Sequence, residues 1–110
     1  MEAINRRSVI WGLEQLASRS EQERLWLSDG SSGEVSSFTE SICGVFDDGG
    51  VSRALDTNKL PHSLAAKFRE LSKYIDLVPQ NVSPQIQIDH PAVAKIAKIS
   101  LELKEILEEK

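Results

Sequence analysis

The stretch from Ser37 to Gly50 constrains this chain most, because its signals agree on one structure, a capped amphipathic helix. Ser37 followed three residues later by Glu40 matches a capping box, in which each side chain satisfies the other's free backbone N–H. Phe38, Ile42, Val45 and Phe46 then recur on one helical face. Asp47 and Asp48 fall at the negative end of the helix dipole, an unfavourable place for anions. The following Gly49-Gly50 is free to take the left-handed conformation that closes a helix.

The rest of the sequence repeats this logic. A first helix is predicted from about Glu2 to Ala17, with Val9, Ile10, Leu13, Leu16 and Ala17 on a face about 120° wide. Ile4 and Trp11 point nearly opposite, so either a later helix covers them or Trp11 is exposed as a contact residue. Ser20 with Glu23 forms a second capping box, opening a short helix through Leu27. Leu25, Trp26 and Leu27 are consecutive and cannot all face one side. Residues 28–33 are a polar, glycine-rich loop without the lysine or spacing of a phosphate loop. Val51 to Leu55 reads as a single helical turn or connector. Pro61 opens a strong helix with Leu64, Phe68, Leu71 and Ile75 at i, i+4, i+7 and i+11.

Residues 79–89 carry Pro79 and Pro84, and the even spacing of Val82, Ile86 and Ile88 predicts an extended strap. Asp89 is expected to cap the last helix, which begins near Pro91. Its Val93, Ile96, Ile99, Ser100, Leu103, Ile106 and Leu107 span about 140°, wider than a coiled-coil seam, so it must meet more than one neighbour or pair with its own copy. The expected fold is all-α: a single domain over residues 1–110, a bundle of four to five helices with an irregular Pro-containing strap before a long C-terminal helix.

Size and charge narrow the function classes. At 110 residues the chain is long enough for one core, and 40% apolar with 27% charged residues is an ordinary globular balance. No apolar run has signal-peptide or membrane-spanning length, so the expected location is cytoplasmic. The lone Cys43 cannot form an internal disulfide and lies on the flank of an apolar face, which implies a packing role. The net charge of −4 belongs to the middle third, where residues 20–60 hold eight acids against Arg24, Arg53 and Lys59. With no basic run beyond Arg6-Arg7, DNA and RNA are not expected ligands. An acidic surface is complemented by a basic protein, although a solvated face without a partner has the same composition.

The inventory for catalysis is thin. His62 and His90 each sit beside a proline at a helix start, without a cysteine or histidine at metal-ligand spacing. Asp47, Asp48 and Asp56 lack the oxygen spacing of a calcium loop, and the bland role for Asp47 or Asp48 is to cap the next short helix. No catalytic residue, metal or cofactor is assigned, and the chain is not expected to be an enzyme.

Arg6-Arg7-x-Val9, Leu13-x-x-Leu16-Ala17, Gln22-x-Arg24-x-Trp26, and Phe38 with Ile42 and Val45-Phe46-Asp47-Asp48 together resemble a group of small uncharacterised bacterial helical proteins. The resemblance covers the first half of the chain, and the Ser28 to Gly33 loop departs from the aromatic one of that group. It implies a single-domain accessory or immunity-type partner. The expected function is therefore a small acidic protein-binding module, an immunity- or antitoxin-like inhibitor of a basic partner protein. Its candidate contacts are Trp11, Trp26, Asp29, Glu34, Asp47, Asp48 and Asp56. The alternative is a structural homodimer assembled through the C-terminal helix, and no nucleic acid or membrane partner is expected.

Overall fold

The computed structural model describes residues 3–28, 30, 33 and 35–109. Among them the chain forms seven helices: α1 (Arg6–Ala17), α2 (Arg19–Trp26), α3 (Phe38–Phe46), α4 (Val51–Asp56), α5 (His62–Ile75), α6 (Pro84–Ile88) and α7 (Pro91–Glu108). The all-α expectation holds, but the count exceeds four to five, because α4 and α6 are helices in their own right.

The caps explain most of the boundaries. Asn5 starts α1 by accepting from the Ser8 N–H at 3.3 Å, later in the chain than the predicted Glu2. Ser18 ends α1 in an extended conformation and caps α2, its Oγ accepting from the Glu21 N–H at 3.3 Å. The predicted cap, Ser20, lies inside α2 with its hydroxyl 3.0 Å from that of Ser18. Both serines precede a glutamate by three residues, and the extended backbone at Ser18 decides between them. Ser37 caps α3 as predicted, with Oγ accepting from the Glu40 N–H at 3.0 Å. Asp47 and Asp48 do not cap α4. That position belongs to Gly50, at φ 78°, a left-handed conformation suited to glycine.

The expected strap is a correction. Ser83 accepts from the Ile86 N–H at 3.4 Å and Pro84 occupies the first helical turn of α6, so the serine–proline pair starts a helix where even apolar spacing suggested a strand. Ile88 is buried and Ile86 exposed. Asp89 ends α6, and the N-cap of α7 is His90, whose Nδ1 accepts from the Ala92 N–H at 3.0 Å.

One cluster of buried apolar residues draws on all seven helices. α1 packs on α3 and on α7, and α5 also packs on α7. The wide α7 arc is therefore used twice: Val93, Ile96, Ile99, Leu103 and Leu107 are all buried. Leu64, Phe68, Leu71 and Ile75 are buried on α5, as their spacing requires. Two edge-to-face aromatic pairs, Trp26 with Phe38 at 5.7 Å and Phe46 with Phe68 at 6.3 Å, tie α2 to α3 and α3 to α5. Among the described residues, no helix is long and apolar enough to cross a membrane.

The α1–α3 contact depends on two residues without side chains. A Cβ on Gly12 would come within 2.5 Å of the Ser41 carbonyl oxygen and 2.6 Å of Val45 Cγ2. A Cβ on Gly44 would stand 2.8 Å from the Trp11 ring. The two helices thus approach more closely than any larger residue at Gly12 permits, and this approach lays the Trp11 indole on α3.

Candidate functional site

A polar seam runs through the apolar core and fixes which aromatic residue reaches the surface. Trp26, on α2, is only 4% exposed, and its indole N–H donates to Gln15 Oε1 on α1 at 3.1 Å. Ser41 on α3 donates toward the same oxygen at 2.8 Å and toward the Ser37 carbonyl at 2.9 Å. The Gln22 amide donates to the carbonyls of Gln15 at 3.0 Å and Leu16 at 3.1 Å at the end of α1, the first of which also accepts from the Ser18 N–H. The two buried amides thus serve helix-end carbonyls and an indole, while Gln15 Nε2 and Gln22 Oε1 have no hydrogen-bond partner among the described residues. Trp26 is therefore a core residue and cannot anchor a partner. Of the three consecutive residues Leu25, Trp26 and Leu27, it is Leu27 that faces outward.

Trp11 is the tryptophan at the surface, at 45% exposed. Its ring rests on Gly44, while Ser8, one turn earlier on α1, donates to the Gly44 carbonyl at 2.8 Å. Glu40 stands on α3 four residues before Gly44, and Asp47 and Asp48 follow the last residue of α3, all three exposed. Glu40 is thus a helix-surface neighbour of Gly44, and all three acids act on the residue beside it. Their fields converge on Cys43: burial, a hydrogen bond with Asp47 and the charges of Asp47, Asp48 and Glu40 all push its thiol above the ordinary range. Cys43 thus keeps its proton and is a poor nucleophile.

The other acids of the middle third are placed differently. Glu21 is held by Arg24, Nη2 to Oε1 at 2.9 Å, and Glu23 by Arg19 at 3.3 Å. Arg19 also reaches Asp89 at 2.7 Å, tying α2 to the end of α6. Among the described residues, Asp48 and Asp56 make no ion pair, and Asp56, exposed at the end of α4, has no hydrogen bond to the Trp11 surface. Asp29 and Glu34 lie outside the described residues. Of the predicted set, the structure thus leaves Trp26 in the core, lays the half-exposed Trp11 on Gly44, and sets Asp47 and Asp48 with Glu40 around the neighbouring Cys43.

On the other side of Trp11 lies a feature the sequence did not suggest, a cleft of about 610 Å³ between α1, α2, the segment before α3 and α7. Val35 and Leu101, both well exposed, and Leu25 supply its apolar walls, while Gln15 and Ser36 contribute buried polar surface. Glu14, Glu21, Arg24 and Lys104 stand around it, two of each sign. Leu101 is polar-flanked on α7 and Val35 lies outside any periodic segment, so neither carried a signal of pairing with Trp11.

No protein-family model, curated protein or solved structure matches the chain.

Proposed function

We propose that this chain is a small protein-binding module that meets a basic partner with the acidic surface of α3, Trp11 supplying the apolar anchor. The observation that supports this most is the half-exposed Trp11 indole resting on Gly44, next in the chain to Cys43, on which the charges of Asp47, Asp48 and Glu40 act. Tryptophan is a preferred hot-spot residue, and adjacent like charges steer and orient a complementary surface. Asp47 and Asp48 also sit where the α3 dipole disfavours them, at about 0.3–1 kcal/mol each. A fold selected for stability alone would place lysine or asparagine there.

The finer reading is an immunity- or antitoxin-like inhibitor that blocks its target by steric and electrostatic occlusion, in keeping with the resemblance of the first half of the chain. The alternative, a homodimer through the C-terminal helix, has less surface available. The apolar arc of α7 is buried between α1 and α5, and Leu101 is the large apolar residue that α7 leaves exposed.

The test is affinity capture with tagged protein at low salt from the cells that make it. A stoichiometric basic protein released by raising the salt is the expected result. Recovery of untagged copies of the same chain alone would favour the homodimer and overturn the basic-partner reading.

A further inference from the structure

The cleft beside Trp11 has an uncompensated charge at its rim. Four charged side chains stand around it, Glu14, Glu21, Arg24 and Lys104. Both cations are committed to carboxylates: Arg24 donates to Glu21 through two nitrogens, at 2.9 and 3.0 Å, and Lys104 reaches Glu108 at 3.2 Å. Glu14 makes no ion pair or hydrogen bond among the described residues. The segment before α3, which lines the cleft with Gly33, Val35 and Ser36, brings no cation to meet it, since residues 28–36 contain Asp29 and Glu34 but no lysine or arginine.

That carboxylate stands in apolar company. Glu14 follows Trp11 by three residues on α1, so the two are neighbours on the helix surface, and both line the cleft. Trp11 is 45% exposed, Val35 60% and Leu101 49%, so these walls are apolar surface that a ligand can reach. The volume of about 610 Å³ lies within the roughly 300–1,000 Å³ typical of small-molecule sites. An ammonium group between Glu14 and the indole gains from the carboxylate and from the ring's quadrupole, while its hydrocarbon body covers Val35 and Leu101. An anion in the same place would face Glu14 with both cations already engaged. We infer that the cleft is a binding site for a small organic cation, an ammonium on a compact apolar body, with Glu14 as its counter-charge. The site goes beyond the protein-binding reading; it shares Trp11 with that surface but none of the α3 acids.

The test titrates isotope-labelled protein with phenethylammonium, phenethyl alcohol and hydrocinnamate, which share a phenylalkyl body and are cationic, neutral and anionic. The ammonium is expected to bind about three- to tenfold more tightly than the alcohol, the range for one exposed ion pair beside an aromatic ring, and the carboxylate more weakly than the alcohol. The Trp11 indole N–H and the Leu101 methyl signals should shift together. Glu14→Gln, at an exposed position, should bring the ammonium down to the level of the alcohol with the fold intact, and Leu101→Asn should weaken both by about threefold or more. The pair Asp47→Asn with Asp48→Asn should leave the preference for the ammonium unchanged, so that failure here is distinct from failure of the docking surface. Equal binding of ammonium and alcohol, a preference that survives Glu14→Gln or vanishes in the α3 variant, or shifts that bypass Trp11 and Leu101 would each overturn the inference. So would an acetylated, amidated Leu-Lys-Leu peptide that binds about tenfold more tightly than phenethylammonium, which would assign the cleft to a polypeptide.

Discussion

Trp26 donates its indole proton to Gln15 Oε1 across 3.1 Å, and this bond decides which of the two tryptophans is structural. Substituting Gln15→Leu strands a buried indole N–H and removes the acceptor that Ser41 shares. An unsatisfied buried donor costs about 1–3 kcal/mol, so urea unfolding of Gln15→Leu should show a loss of about 2 kcal/mol. A loss below about 0.5 kcal/mol would mean that the indole finds another acceptor or that the seam contributes little.

The two glycines of the α1–α3 contact predict opposite behaviour. At Gly12 a methyl group meets a backbone carbonyl, which cannot retreat without parting the helices, so Gly12→Ala should cost about 1–3 kcal/mol. At Gly44 it meets the half-exposed Trp11 ring, which can swing outward. Alanine's helix advantage of about 1 kcal/mol then offsets the displacement, leaving stability nearly unchanged while Trp11 fluorescence shifts toward that of a solvated indole. Equal stability losses at both sites would show that the Trp11 ring is as fixed as the Ser41 backbone.

The acids that close α3 should trade stability for binding. Asp48→Asn relieves an unfavourable dipole contact and is expected to raise stability by about 0.3–1 kcal/mol in thermal or urea unfolding. A destabilised variant would indicate that Asp48 makes a structural contact instead.

The Arg19–Asp89 bridge carries a pH signature. Asp89 lies below the ordinary aspartate range because Gln85 donates to it and Arg19 sits beside it. A carboxylate depressed in the folded state contributes stability above its unfolded value, and that contribution is lost as pH falls through the folded one. Both groups are fully exposed, so the effect on stability is small. An NMR titration should find the Asp89 carboxyl protonating below an unstructured aspartate, and Arg19→Ala should bring it back up. A midpoint unaffected by Arg19→Ala would assign the shift to Gln85 alone.

How much of this was legible in the sequence depended on whether a segment carried one signal or several. α3 and α5 were readable because cap, period and terminator agreed. The start of α2 was ambiguous, since Ser18 and Ser20 each precede a glutamate by three residues. α6 was misread because Val82, Ile86 and Ile88 mimic a strand over too few residues for period to outweigh the Ser83-Pro84 helix start. The acids at the end of α3 and the two faces of α1 were visible as patterns. That Trp11, rather than Trp26, reaches the surface was not, because it follows from the partners of Gln15, a polar residue whose burial no period announces. The cleft was likewise hidden, since its lining residues, Val35 and Leu101 among them, come from separate segments that only tertiary packing gathers.

The central claim, that Trp11 and the α3 acids form one docking surface, is tested most directly by the binding kinetics of the captured partner. Asp47→Asn with Asp48→Asn should slow association and flatten its salt dependence, and Trp11→Ala should speed dissociation by about tenfold or more, as loss of a hot-spot tryptophan does. Association and dissociation rates that match the unsubstituted protein in both variants, with the fold intact, would contradict it.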